Sequence, residues 1–203
     1  MTVRIETYRP QMEESWLDCW ALAASRSRAW YHMHVAKPTY KGPSLELVAL
    51  EEGGRVVGLL DLEIETIPGS LCQREGPGQA FAWEFAVHPG FCWGRGLGKR
   101  LIREAETLLR AEHGVTYSEW WSMDERSQEW YRRRGMEEIN RHMRFHVLVP
   151  PDMKGDLSRM GAGPVNLHLT CSEDDWPRLR EELEVILAPP LEPRLCVGFA
   201  HRF

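Results

Sequence analysis

The sequence contains no long apolar run and no excess of basic charge, and each absence closes a route. No stretch approaches the roughly 20 apolar residues that a membrane-crossing helix requires, so no membrane partner is expected. The formal net charge is -5. Nucleic-acid modules carry a basic face, so no nucleic-acid partner is expected either. Cysteine is sparse: the five residues are Cys19, Cys72, Cys92, Cys171 and Cys196, an odd number without a CxxC pair. That excludes a disulfide framework and fits reduced thiols in a cytoplasmic protein. The opening Met-Thr-Val-Arg-Ile-Glu-Thr-Tyr-Arg-Pro lacks the apolar core of a signal peptide. Internal repeats and low-complexity segments are missing as well. The close histidine pairs are His32 with His34 and His142 with His146. The second pair lies in an expected strand, its members about 13 Å apart along the chain. Neither pair has an evident third ligand, so no metal is assigned.

What is present is a chain of 203 residues, 43% of them hydrophobic. That suffices for one packed domain with a small appendage. Nine tryptophans stand out. They serve either as core filling or as the lining of a pocket for a flat or apolar substrate.

Residues 4–8 read as a first strand. Pro10 opens a helical stretch, and Trp16, Leu17, Trp20, Ala23 and Ala24 recur at helical spacing to about Trp30. A second short helix is expected within residues 31–43. Residues 45–51 and 56–67 read as paired strands across a Glu52-Gly53-Gly54-Arg55 turn. In the second strand Leu60, Leu62 and Ile64 alternate with Asp61, Glu63 and Glu65. One face is apolar, and the acidic one is expected to be solvated. Residues 68–79 read as an exposed loop and 81–88 as a strand. In that strand Trp83, Phe85 and Val87 are expected on one face and Glu84, Ala86 and His88 on the other.

A glycine-rich turn over residues 89–98 leads into a helical stripe of Leu97, Leu101, Ile102, Ala105, Leu108 and Leu109, which stops at Gly114. Residues 115–122 are an expected strand, 127–134 a helix closed by Gly135, and 138–149 a long strand. After Pro150-Pro151 come a loop, a strand over 165–171, a helix over 176–187 and a last strand over 195–203. Ser172 and the acidic residues behind it mark that helix start.

The turn Trp93-Gly94-Arg95-Gly96-Leu97-Gly98-Lys99 joins a strand to a helix. Glycine allows close backbone approach, and the helix start offers unpaired N–H groups to a phosphate. A Walker A loop fails, because Trp93 stands where its first glycine belongs and Arg100 follows Lys99. A Rossmann fingerprint fails on its glycine spacing. A turn without a ligand stays open at this point.

Val87-His88-Pro89, followed by Gly94-Arg95-Gly96-Leu97-Gly98, resembles the acetyl-CoA signature of the GNAT superfamily. Trp93 replaces the usual Gln or Arg of that signature. Downstream, Asp124, Ser127, Trp130, Tyr131, Gly135 and Met136 resemble the second motif of the same superfamily. The resemblance covers residues 3–149.

It implies an α/β (α+β) fold with a mixed central sheet of about six to seven strands flanked by helices. The GNAT-like domain would span residues 1–150. A strand-helix-strand extension over 151–203 would pack on that domain or form a dimer interface, so a homodimer is one reading of the tail. Acetyl-CoA is the implied co-substrate and a primary amine, either a small molecule or a peptide N-terminus, the acceptor. The backbone and turn residues Phe85, Ala86, Val87, Trp93, Gly94, Arg95, Gly96, Leu97, Gly98 and Lys99 are the implied cofactor contacts, with Asp124. Tyr131 is the implied general acid toward the CoA sulfur; an unperturbed phenol titrates near 10, close to a leaving thiol. Glu84 is the candidate general base, with Glu63 and Glu65 as rivals. A GNAT-like domain that binds acyl-CoA or a partner without turnover is the alternative.

Overall fold

The computed structural model describes residues 2–27, 34–74, 76–91, 96–149, 165–186 and 188–203. They form a mixed α/β structure with eight strands and four α-helices. The chain divides into two compact units. One holds residues 1–137 with 199–203, and the other holds residues 138–198.

The first unit begins with β1 (Arg4–Thr7), a 3-10 turn opened by Pro10, and α1 (Glu13–Ser27). Then come β2 (Ser44–Leu50), β3 (Val56–Ile64) and β4 (Gln79–Val87). The helix α2 (Leu97–His113), strand β5 (Tyr117–Ser122) and helix α3 (Glu125–Arg133) complete it. Its sheet runs β1-β2-β3-β4-β5, with the end of β8 (Ala188–Arg202) beside β5. The first four strands pair antiparallel, while β4 and β5 are parallel. A parallel pair needs a crossover, and α2 supplies it.

Every residue of β3 is buried, because the strand is covered on both faces. On one face Trp16 and Cys19 of α1 pack on Val48, Leu50, Val56, Leu59 and Ala86. On the other, Leu97 and Leu101 of α2 crowd Gly58, where a Cβ would stand 3.0 Å from Leu101 Cδ1. Full burial of a large apolar side chain contributes about 1.5–3 kcal/mol, and Trp16, Leu59 and Leu101 are all fully buried. No second helix occupies residues 34–43; residues 31–33 lie outside the described residues. Instead, the backbone N–H of Lys37 donates to Glu13 Oε1 at 2.9 Å, which ties that segment to the start of α1.

The second unit contains nearly all of β6 (Glu137–Val149), with β7 (Val165–Cys171), α4 (Trp176–Ile186) and most of β8, in the order β8-β6-β7. The β6–β7 pair is antiparallel, with Phe145 opposite Leu169. Phe145 is buried and its ring lies 4.9 Å from that of Trp176. Ser172 starts the α4 turn as its composition suggests: its Oγ accepts the Asp175 N–H at 3.0 Å. Among the described residues no helix is long and apolar enough to cross a membrane.

Candidate active site

The β4–β5 pairing runs from Gln79–Tyr117 to Ala82–Trp120 and stops there. Beyond it β4 continues to Val87 and β5 to Ser122. The two strands part, and the candidate site is built on both faces of this parting.

On the α2 face, Phe85 inserts its ring 5.6 Å from Trp120, edge-on, and 5.7 Å from Trp130. Tyr131, on α3, packs among Trp120, Trp130 and Phe199 with centroids 5.8, 5.5 and 5.2 Å away. It is only 5% exposed. Burial, reinforced by the charge of Asp124, pushes the Tyr131 phenol well above its ordinary range. It therefore stays protonated across the neutral range.

Gly98 faces the same aromatic group. A Cβ there would stand 3.1 Å from Phe85 Cζ and 3.7 Å from both Trp130 and Val87. Its neighbour Gly96 has φ of +61°, a left-handed conformation in which glycine carries no steric penalty, and it caps α2 without a side-chain bond. The Arg100 N–H returns to Gly96 O at 3.0 Å. The N–H groups of Leu97, Gly98 and Lys99 precede the first intrahelical bond. The first turn has no acidic residue, and Lys99 and Arg100 are exposed on it. This is a fitting seat for an anionic phosphate group. Trp93, Gly94 and Arg95 lie outside the described residues.

The α1 face differs from expectation. The β3–β4 register slips between Asp61 and Leu62, so that Glu84 faces Asp61 while Leu62 faces Ala82. Trp83 is the extra residue of a β-bulge, which re-aims side chains locally. It joins Glu84 on the α1 face instead of Phe85 on the other. Its indole N–H donates to Glu63 Oε2 at 2.8 Å, and its ring lies 6.4 Å from Tyr40, nearly parallel.

The acidic face is also buried, not solvated: Asp61 is 0%, Glu63 6% and Glu65 9% exposed. Burial of a carboxylate requires partners, and each has them. Asp61 Oδ2 accepts from Tyr40 Oη at 2.9 Å and pairs with Lys37 Nζ at 2.7 Å. Burial pushes the Asp61 carboxyl up to about 6, against the opposing pull of Lys37. Glu63 Oε1 accepts the Gly42 N–H at 2.6 Å. Glu65 Oε1 takes the N–H groups of Leu71 and Cys72, both at 2.9 Å. With Glu119, which accepts the N–H groups of Gln73 and Arg74, it pins the loop before β4. Both rivals for the base, Glu63 and Glu65, are thus committed to structural bonds.

Glu84 is held differently. Trp20 Nε1 donates to its Oε2 at 2.6 Å, and His34 Nε2 lies 2.9 Å from Oε1. Both partners are side chains, and the carboxylate is 18% exposed. Each oxygen keeps lone-pair capacity for a further donor. Asp124 serves as the N-cap of α3, its Oδ2 accepting from Ser127 N at 2.9 Å and Ser127 Oγ at 2.8 Å.

The structure thus places Glu84 and Tyr131 beside the parting of β4 and β5, from opposite faces. Sequence reasoning did not assign His34, Trp20 and Tyr40 to this site. Nothing local marks them; only the register of distant segments brings them together.

A model of the acetyltransferase (GNAT) family matches residues 5–136. Among solved structures, the chain is similar to a GNAT-family acetyltransferase from Staphylococcus aureus Mu50, with TM-score 0.54 at 13% identity over 82% of this chain and 97% of that one. It is similar to the PaiA N-acetyltransferase of Thermoplasma acidophilum in complex with coenzyme A, with TM-score 0.53 at 12% identity over 68% and 92%. It is similar to the ribosomal-protein-S18-alanine N-acetyltransferase of Escherichia coli, with TM-score 0.53 at 11% identity over 99% and 94%. Identities this low show a common fold. No curated protein matches the chain.

Proposed function

The chain belongs to the GNAT acetyltransferase family, and from that membership we propose that it acetylates a primary amine, with Glu84 as general base and Tyr131 as general acid. The family makes it an acyltransferase, an N-acetyltransferase whose co-substrate is acetyl-CoA. That co-substrate supplies an acetyl thioester; the chain must seat it, take a proton from the amine and return one to the departing sulfur.

The seat is the start of α2, where Gly96, Leu97, Gly98 and Lys99 offer backbone N–H groups to the pyrophosphate. Gly98 keeps the helix close to Phe85, and the backbone of Phe85, Ala86 and Val87 lines the parting where the pantetheine arm would run. Asp124 acts on this side through the orientation of α3, which carries Tyr131.

Glu84 takes the proton that an ammonium must lose before its nitrogen can attack. It suits this role because its two side-chain partners fix its orientation without neutralising it through a buried lysine, as Lys37 does for Asp61. Tyr131 holds its proton through the neutral range and supplies it to the departing sulfur. Burial that excludes water strengthens both interactions.

The observation that carries this reading is the end of the β4–β5 pairing at Ala82, with Glu84 and the Tyr131 group on the two faces just beyond it. Titration calorimetry with acetyl-CoA tests the seat: micromolar binding is expected, and no heat at high micromolar ligand overturns it. Release of free thiol from acetyl-CoA in the presence of an amine panel tests the reaction.

A further inference from the structure

Trp83 is the least explained large side chain of this face. It is 47% exposed, yet it is not loose. Its indole N–H is tied to Glu63, Phe81 packs against it at 4.7 Å, and Tyr40 lies nearly parallel at 6.4 Å. Folding alone gains little from fixing a half-exposed indole, because exposure forfeits apolar burial and fixing it costs rotamer freedom. Fixed, solvent-facing aromatics are the anchors of binding surfaces. The bulge sets this one beside Glu84, the residue that receives the amine.

We propose that Trp83 is the floor of the acceptor pocket and that the acceptor is a monocationic arylalkyl primary amine, its ammonium at Glu84 and its flat apolar body on the Trp83 indole. The proposal rests on the acetyltransfer reading above and adds the acceptor class.

The charge arrangement favours one cation over several. Glu63 has both oxygens committed, to Gly42 and to Trp83. Asp61 is fully buried and paired with Lys37, whose other partner is Glu46. Of these three, Glu84 alone keeps an accessible carboxylate, and among the described residues it pairs with no lysine or arginine. Among Asp61, Glu63 and Glu84, a polyamine would find no second free carboxylate to pair with its further ammonium groups. An amino acid would bring its own carboxylate beside Glu84 and Glu63, at the cost of like-charge repulsion.

The test compares phenethylamine, propylamine, phenylalanine and spermidine with the full chain and its W83L variant. Turnover is read as kcat/KM for thiol release, and binding as calorimetric titration of each amine into the protein–CoA complex. Phenethylamine is expected to exceed each of the other three by about tenfold or more in either readout. W83L is expected to lower the phenethylamine value about tenfold and the propylamine value less than threefold, while still binding acetyl-CoA. Equal values for phenethylamine and propylamine, a preference for spermidine or phenylalanine, or a W83L effect equal for all amines would overturn the proposal. If no amine is turned over, the catalytic reading fails, and the binding titrations still decide the acceptor class. W83F, which keeps a flat ring, separates loss of the platform from loss of folding: it is expected to retain most of the phenethylamine preference, and its loss of that preference with acetyl-CoA binding intact would count against the platform.

Discussion

His34 Nε2 stands 2.9 Å from Glu84 Oε1 although fifty residues of chain separate them. The opposite oxygen of Glu84 takes the Trp20 indole N–H at 2.6 Å. Two side chains from the α1 side therefore fix the orientation of a carboxylate on β4. A base held in one orientation loses less freedom when it meets its substrate.

Glu84→Gln keeps the size of the side chain and removes its basicity. General-base removal costs about a hundredfold to ten-thousandfold in rate. A fall of that order in kcat/KM is expected, with acetyl-CoA affinity changed little. A rate within threefold of the parent would remove Glu84 from the mechanism.

His34→Ala tests whether the contact matters through Glu84. The single change is expected to lower kcat about tenfold, and far less in the Glu84→Gln background, since residues that act as a unit are not additive. Equal losses in both backgrounds would show that His34 acts elsewhere.

Tyr131→Phe removes the proton donor and leaves the aromatic packing with Trp120, Trp130 and Phe199. Turnover is expected to fall tenfold or more with acetyl-CoA binding intact, in line with the usual size of acid–base contributions of about 10²–10⁴. Because burial raises the phenol's affinity for its proton, the parent should show no alkaline loss of rate from this group below about pH 10. A Tyr131→Phe protein that keeps the parent's rate would contradict the assignment, and an alkaline limb near pH 8 that disappears in Tyr131→Phe would contradict the raised proton affinity of the phenol.

Asp61 links pH to stability. Its carboxyl is pushed up to about 6 from an ordinary 3.8 by burial. Between those values the folded state keeps a proton that the unfolded state has lost, so stability falls as pH rises through this window. The difference corresponds to roughly 3 kcal/mol. Urea unfolding at pH 4 and pH 7 should show the parent losing more stability than Asp61→Asn over that interval, by an amount of this order. Parallel profiles would refute the linkage.

Gly98→Ala places a methyl group 3.1 Å from Phe85 Cζ. Overpacking of this kind costs about 1–3 kcal/mol. A lowered unfolding midpoint together with weaker acetyl-CoA binding is expected. A variant with unaltered binding would mean that the α2–Phe85 approach does not shape the seat.

The elements around the turn were legible because their signals are local. The stripe from Leu97 to Leu109 has helical period, Gly114 closes the helix with φ of +65°, and Gly135 follows α3 with φ of +75°. Tyr131 stands in the sequence within a motif, and the structure buries it among Trp120, Trp130 and Phe199. The alternation of Asp61 and Glu63 with Leu60 and Leu62 marks two faces, as the structure has them. Their burial was not legible, because the cover arrives from α1 and from residues 34–43, and period-2 patterning is blind to what lies above a strand. The bulge at Trp83 has no glycine or proline to mark it; it arises from the pairing of β3 with β4. For the same reason His34 stands in the sequence only as half of a weak metal pair, and its partnership with Glu84 is a product of tertiary structure alone.

The most direct measurement is product mass spectrometry of phenethylamine incubated with acetyl-CoA and either the parent or the Glu84→Gln protein. The account predicts a mass gain of one acetyl group on the amine, with an equal amount of free CoA, for the parent. For Glu84→Gln it predicts at least a hundredfold slower formation of both. No acetylated product from phenethylamine or any other primary amine with the parent, or equal rates with both proteins, would contradict it.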